Sequence, residues 1–200
     1  MRISHKHKFI FVAVPKTGTT SIEAKLDTIN AVEPRLNPKH ITLENLKAET
    51  DINLDSYFSF SFSRNPWDRH LSLFKYYKKM IKFWDKNPEK KQKWRTGYER
   101  CKNLVGSYES FNDFVKGRPE WAELQTRWLS KNIDFIGRME NIQSDFDIIC
   151  DKTGMDRLKL DHLNKSNSVD YREIYNDESI DIVSKSYKKD IDYLGYKFEG

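Results

Sequence analysis

The chain has 200 residues, a mass of 23.8 kDa, a formal net charge of +5 and an isoelectric point near 9.0. Its aromatic content of 14% argues against intrinsic disorder despite a mean hydropathy of −0.80, because aromatic side chains carry much of a fold's buried area. No run of about 18 apolar residues could span a membrane, and residues 1–14 lack the apolar core of a signal peptide. We therefore expect a single domain over residues 1–200 that is cytoplasmic and has no membrane span.

The cysteine content excludes two other classes of protein. Cys101 and Cys150 are the only cysteines, and neither belongs to a CxxC pair. Two cysteines are too few for a disulfide scaffold, and this spacing does not favour structural zinc. We predict no metal site. The modest basic excess favours anionic ligands without indicating nucleic acid.

The first half of the chain alternates strand and helix signals. Residues 9–14 form an unbroken apolar run before a proline, which predicts a buried parallel strand, and residues 19–29 follow as a helix. Residues 42–48 predict a short helix that begins after Thr42 as N-cap. Residues 57–63 alternate tyrosine or phenylalanine with serine, the period of a strand. Another helix follows, with Asn65 as its cap and Pro66 in its first turn.

The second half is richer in helix. Residues 84–118 include a dense run of charge with interleaved tryptophan and tyrosine, and we interpret them as a helix-rich insertion that can bind an anionic or sugar-like molecule. Further helices are predicted at 110–116, 120–130, 140–152 and 177–194, with Gly154 and Gly195 just past the ends of the last two. Residues 133–137 predict a third strand. This order predicts an α/β fold, P-loop-like and three-layered α/β/α, with a central parallel sheet of about 3–5 strands and C-terminal helices.

The strongest chemical signal is the sequence VPKTGTTSIEAKL at residues 14–26. A buried strand ends, a turn containing Gly18 follows, and a helix begins, so backbone N–H groups and the positive helix end converge on one point. Lys16 adds an ammonium group, and residues 17–21 add hydroxyl groups. The loop is not a Walker A motif, because Lys16 precedes the only glycine instead of following a second one.

A second basic motif, SRNPWDRHLSLF at residues 63–74, follows the second strand. Parallel strands bring their carboxyl ends to one edge of a sheet, so we expect Arg64 and Ser72 to bind a second phosphate of the molecule held by residues 16–21. Arginine suits phosphate because its planar fork donates two parallel hydrogen bonds.

The two motifs together resemble the nucleotide-binding motifs of sulfotransferases that use 3′-phosphoadenosine 5′-phosphosulfate (PAPS). PKTGTTS resembles their 5′-phosphosulfate loop and RNPWDRHLSLF their 3′-phosphate motif. The wider pattern is similar to the family-2, membrane-type carbohydrate sulfotransferases in a compact form, and it continues through KHITLENLK, IGRMENIQSDF and LDHLNKSNSVDYREIYND. The resemblance covers nearly the whole chain apart from residues 84–118.

This resemblance implies in-line transfer of a sulfuryl group from PAPS to a hydroxyl or amine, with 3′,5′-diphosphoadenosine (PAP) as product and no metal. The acceptor would be a glycan or a small hydroxyl compound. Lys16 would stabilise the leaving phosphate, and Arg64 and Ser72 would hold the 3′-phosphate. The residues implied to bind the donor are Pro15, Lys16, Thr17, Gly18, Thr19, Thr20, Ser21, Arg64, Ser72 and Lys165.

The general base is less constrained by the sequence. His40 is the first choice, because a neutral imidazole accepts a proton at physiological pH and related glycan 2-O-sulfotransferases are similar at this position. His162 and Glu140 are the alternatives. Trp67 is a candidate for stacking on adenine or for the core, and Gln125, Arg127 and Trp128 are candidates for the acceptor cleft by analogy only.

Two other functions remain open at this point. A P-loop nucleotide kinase or NTPase would bind ATP with Mg²⁺, although the position of Lys16 argues against it. A non-catalytic anion- or nucleic-acid-binding module would bind with strong salt dependence. The sequence gives no oligomeric state.

Overall fold

The computed structural model describes residues 1–29, 32, 39–51, 53–120, 122–129, 132–161 and 169–199. Its four-stranded sheet has the order β1-β2-β3-β4; β1 runs antiparallel to β2, and β2, β3 and β4 are mutually parallel. The strands are β1 (Arg2–Ser4), β2 (Phe9–Val12), β3 (Phe58–Ser63) and β4 (Phe135–Arg138). The α/β class and the mostly parallel sheet are confirmed, while β1 was not predicted.

Nine α-helices lie within the part of the chain that is described. They are α1 (Thr19–Leu26), α2 (Leu43–Glu49), α3 (Pro66–Asp85), α4 (Pro88–Lys93), α5 (Arg95–Cys101), α6 (Phe111–Gly117), α7 (Ile142–Thr153), α8 (Asp177–Ser186) and α9 (Lys188–Leu194). Several starts are those the sequence predicts: the side chains of Thr42, Asn65 and Ser110 each accept a hydrogen bond from an amide of the following helix. Among these helices none is long and apolar enough to cross a bilayer.

The chain folds into two compact units. The first comprises Met1–Arg64 and Leu124–Asn167, and it contains the whole sheet. The second comprises Asn65–Glu123 and Ser168–Gly200, and it is built of helices and turns within its described residues.

The core of the first unit lies on one face of its sheet. Phe11 pairs in register with Phe60, and their rings stack with centroids 5.2 Å apart. Ile22 of α1 and Phe146 of α7 belong to the same fully buried cluster. The apolar faces of these two helices therefore anchor the strand ends that carry the site.

The opposite face of β3 is polar but equally buried. The Ser61 hydroxyl donates to the carbonyl of Val12 at 2.7 Å, and the Ser63 hydroxyl donates to the carbonyl of Gly137 at 3.2 Å. Each serine thus ties β3 to a neighbouring strand, which satisfies hydroxyl groups that would be costly to bury alone. The alternation predicted for residues 57–63 is a strand covered on both faces, as in a three-layer fold.

Two helix predictions were wrong. Within the described part of residues 120–130, only Gln125–Arg127 forms a helical turn, of 3-10 type. Leu124 has an extended ψ of 140°, which is incompatible with a continuous helix over 120–130. The Gln125 side chain hydrogen-bonds to Arg64. The helix predicted at 177–194 is two helices, α8 and α9, separated at the buried Tyr187.

Candidate functional site

The loop at residues 15–21 connects β2 to α1 and has a constrained backbone. Gly18 has φ +77° and is the N-cap of α1, and Lys16 has φ +69°, which is uncommon outside glycine. The hydroxyls of Thr17 and Thr19 both donate to the carbonyl of Val14, at 3.1 and 2.7 Å. These two buried hydroxyls hold the turn closed, and the predicted role of Thr17 and Thr19 in donor binding stays a prediction.

Close packing, in addition to its positive φ, favours glycine at position 18. A Cβ at this position would lie 2.6 Å from Cδ1 of Ile142 and 2.8 Å from Sδ of Met139. The loop backbone therefore packs directly on the start of α7 and on the turn before it. No side chain fits there without a shift of its neighbours, and an L-residue would also be strained at this φ.

The first turn of α1 provides the donors expected for an anion. The amides of Ser21 and Ile22 bond to the carbonyl of Gly18, which leaves the amides just before them directed out of the helix end. The Thr20 side chain is exposed at the same end, and those of Ser21 and Lys16 are half-buried. Oriented amides, the positive helix end and one ammonium group suit a phosphate or sulfate group.

Arg64 immediately follows β3 and contacts this loop. Its Nη1 donates to the carbonyl of Lys16 at 3.2 Å, so a guanidinium group lies beside the anion loop. Both residues follow parallel neighbouring strands, which explains why they meet.

His40 is hydrogen-bonded to the segment that connects β2 to the same loop. Its Nδ1 lies 2.7 Å from the carbonyl oxygen of Ala13. A carbonyl can only accept, so Nδ1 carries the proton and Nε2 holds the lone pair of the neutral ring. Burial lowers the pKa of His40 below its usual value of 6.5; the bond to Ala13 opposes this shift and the charge of Lys39 adds to it.

The segment around His40 is also tied to α1. Lys39 Nζ lies 2.9 Å from Oε2 of Glu23, a buried carboxylate that also pairs with Arg2 at 3.4 Å. The same helix therefore begins at the anion loop and holds the residue next to His40.

Of the other residues predicted for the donor site or as the base, some lie outside the described part of the chain. Ser72 is half-buried on α3 in the second unit, so its role in binding phosphate stays a prediction. Lys165 and the alternative base His162 lie outside the described residues. Glu140 is exposed in the turn Met139–Asn141.

Trp67 takes the packing role in the second unit. It is buried, its Nε1 donates to the carbonyl of Ile180 at 3.3 Å, and its ring meets Phe198 edge-on. An adenine-stacking role finds no support in these contacts.

Gln125 and Trp128, assigned by analogy to the acceptor cleft, instead contact Arg64 and His40. Both are buried. The one sequence signal for the burial of Gln125 is a glutamine among apolar residues, and that signal does not indicate which residue it contacts. Arg127, from the same turn, is exposed.

Comparisons with known proteins identify the family of the chain. The Sulfotransferase family matches residues 1–197. Carbohydrate sulfotransferase 10 of Pongo abelii is 25% identical over 196 aligned residues, covering 78% of this chain and 53% of that protein. Carbohydrate sulfotransferase 14 of Danio rerio is 24% identical over 176, covering 76% and 47%. The chain thus spans about half the length of these relatives, and no solved structure matches it.

Proposed function

Because this chain belongs to the sulfotransferase family, we propose that it transfers a sulfuryl group from PAPS to a hydroxyl group of a carbohydrate acceptor. The observation that carries the proposal is the convergence, within the first unit, of three groups at the ends of β2 and β3. They are the Lys16 loop, the Arg64 guanidinium 3.2 Å from the Lys16 carbonyl, and His40 hydrogen-bonded to Ala13.

The hydrogen-bonding and cationic groups of the site suit a nucleotide that carries two separate anionic groups. The amides at the start of α1 and the ammonium of Lys16 would hold the 5′-phosphosulfate, which needs fixed donors more than mobile charge. Arg64 would hold the 3′-phosphate, with Ser72 and Lys165 as further predicted contacts. Pro15 begins the loop, and the hydroxyls of Thr20 and Ser21 can donate where those of Thr17 and Thr19 are already engaged.

The proposed reaction depends on two side chains, one that accepts a proton and one that stabilises negative charge. As the acceptor oxygen forms its bond to sulfur, Nε2 of His40 takes the hydroxyl proton. The bond between sulfur and the bridging 5′-phosphate oxygen breaks, and Lys16 stabilises the negative charge that develops on that phosphate. Alignment and charge stabilisation are the main sources of rate enhancement in such a transfer. The lowered pKa of His40 supports the assignment, because the ring is neutral at physiological pH.

The acceptor class rests on the names of the relatives. Both are carbohydrate sulfotransferases, which favours a glycan over a small alcohol or an amine. Residues 84–118 remain a proposed acceptor-binding segment, and the expected cytoplasmic location stays a prediction.

Titration calorimetry with PAP, AMP and ATP tests the nucleotide assignment. We expect PAP to bind more tightly than AMP, and Arg64→Ala to remove the preference because AMP lacks the 3′-phosphate. Arg157→Ala is a matched control, since Arg157 is an exposed arginine paired with Asp151 at 2.7 Å. Equal binding of PAP and AMP by the native protein would refute the proposal, and Mg²⁺-dependent preference for ATP would favour a nucleotide kinase.

A further inference from the structure

We infer that Gln125 and Trp128 are positioning residues, which fix Arg64 and His40 for donor binding and proton transfer from the two ends of one 3-10 turn. This inference deepens the proposed function and rests on it. It is carried by hydrogen bonds inside the first unit, made by buried side chains and by the turn itself.

Gln125 holds the backbone of Arg64 on both sides. Its Oε1 accepts from the Arg64 amide at 2.9 Å, and its Nε2 donates to the Arg64 carbonyl at 2.9 Å. Arg64 lies one residue past the end of β3, so the glutamine amide supplies there the pair of bonds that a neighbouring strand would make. The backbone from which the guanidinium extends is thereby fixed.

Trp128 holds the backbone of His40. Its indole Nε1 donates to the His40 carbonyl at 2.9 Å, and the two rings meet edge-on with centroids 6.3 Å apart. The imidazole is separately bound to the Ala13 carbonyl. With its ring and its carbonyl both held, the direction of Nε2 is determined.

The turn links these two contacts rigidly. The amides of Trp128 and Leu129 both bond to the carbonyl of Gln125, at 2.9 and 3.0 Å, and Leu129 is buried in the interior. A shift of the turn would therefore move both contacts together.

A role in packing alone does not explain these residue types. Gln125 is 0% exposed, and a fully buried amide costs stability unless its polar atoms are bonded, so a position that only filled space would favour leucine or methionine. Here the oxygen and the nitrogen of the amide both bond to Arg64, and that residue is the candidate phosphate ligand.

The first arm of the test is Gln125→Leu, measured by calorimetry with PAP and AMP. We expect affinity for PAP to fall about ten- to hundred-fold, because a displacement of about 1 Å is enough to lose an aligned contact, while affinity for AMP changes less. Gln125→Glu keeps volume and the acceptor for the Arg64 amide, so we expect a smaller loss. It also keeps the test valid if the leucine variant does not fold.

The second arm is Trp128→Phe, measured by the ring nitrogen signals of His40 in NMR spectra and assigned by their loss in His40→Gln. In the native protein we expect the Nδ1–H tautomer. Without the indole N–H, we expect the tautomer signature to shift while PAP affinity stays within about two-fold.

Gln143→Leu is the matched control. The half-buried Gln143 accepts from the amide of Leu160 at 2.8 Å and donates to the carbonyl of Leu158 at 3.1 Å and to Asp147 at 2.8 Å, so the variant loses at least as many amide hydrogen bonds in the same unit. We expect it to lower the melting temperature without changing either readout.

The results separate the two proposals. Native-like PAP affinity in Gln125→Leu, an unchanged His40 signal in Trp128→Phe, or equal effects from Gln143→Leu would each overturn the positioning role. If the native protein instead shows no preference for PAP over AMP, the proposed function fails. Loss of hydrogen-exchange protection at the Arg64 amide in Gln125→Leu would then still support the positioning of Arg64, and retained protection would refute it.

Discussion

The anion loop of the first unit and the basic segment at residues 75–102 of the second unit both suit negative charge, but in different ways. The basic segment has eleven lysines and arginines against three acidic residues, a net charge of +8, so the rest of the chain carries −3. The anion loop at residues 15–21 carries one lysine. Its donors are backbone amides whose positions are set by Gly18 and by the hydroxyls on Val14.

The difference teaches that charge density alone does not locate a chemical site. Many charges of the basic segment are exposed, and some are paired locally, as Lys91 is with Asp85 at 2.9 Å. Exposed pairs of this kind are screened by solvent and contribute little. The segment also exposes aromatic rings, among them Trp94 at 59%, which suits a broad contact surface more than a defined phosphate site.

The largest effect expected at the anion loop is that of Lys16→Ala. Removal of the ammonium proposed to stabilise the leaving phosphate should lower turnover on the order of 10³-fold. Sulfate transfer from labelled PAPS to a panel of mono- and disaccharides measures it. Lys86→Ala, in the basic segment, is the control, and an equal loss in both variants would remove the distinction between the two regions.

His40→Gln should lower turnover by about 10²-fold while PAP binding persists, because the base acts on the acceptor and not on the donor. In the native protein the base form predominates above a pKa that lies below 6.5. Activity should therefore stay constant through neutral pH and decline only as the pH falls below 6.5. A decline that begins above pH 7 would contradict this assignment.

Gly18→Ala separates backbone strain from packing. The variant meets both φ +77° and a contact of 2.6 Å with Ile142, whereas Gly154→Ala meets φ +64° and open space. Strain should lower the free energy of unfolding by about 1–2 kcal/mol in both. Gly18→Ala should lose a further 1–3 kcal/mol, roughly, to overpacking, together with PAP affinity. Urea unfolding and calorimetry measure these effects, and equal losses in the two variants would rule out the close packing.

The second unit also contains a histidine whose pKa is lowered by burial. His70 is buried among Phe111, Phe114 and Tyr187, and burial lowers its pKa to about 3. The unfolded chain binds this proton below pH 6.5 but the folded protein only near 3, so stability should fall as pH decreases between those values, by about 1.4 kcal/mol per pH unit. Unfolding of the native protein and His70→Phe at several pH values tests this; an equal slope in the two proteins would contradict it.

The smallest effect is expected in the basic segment. Neutralising the exposed Lys79, Lys82 and Lys86 to glutamine should change PAP affinity less than about two-fold at 0.15 M salt, because exposed charges are screened beyond about 8 Å. Calorimetry at low and physiological salt gives the comparison. A ten-fold loss at physiological salt would show that the segment takes part in nucleotide binding.

The sequence predicted those parts of the fold whose signals are local. The apolar run before Pro15, the alternation at 57–63 and the caps Thr42 and Asn65 depend on neighbouring residues, and the structure has each of them. The turn between β2 and α1 was predicted for the same reason, and its role in anion binding stays a prediction.

Features that depend on distant contacts were not predictable. Gln125 leaves the helical pattern to bond with Arg64, sixty-one residues away in sequence, and Tyr187 interrupts a helical run that contains no proline or glycine. The bond between His40 and the Ala13 carbonyl is of the same kind. Sequence periodicity reports which face of an element is apolar, and it does not report which partner a buried polar group finds.

The two threonine hydroxyls that close on the Val14 carbonyl have a kinetic consequence. A loop already fastened by its own side chains need not rearrange when the donor arrives. Capture of the proposed nucleotide should then be a single bimolecular step whose rate rises linearly with concentration, without the plateau that a slow loop closure would impose.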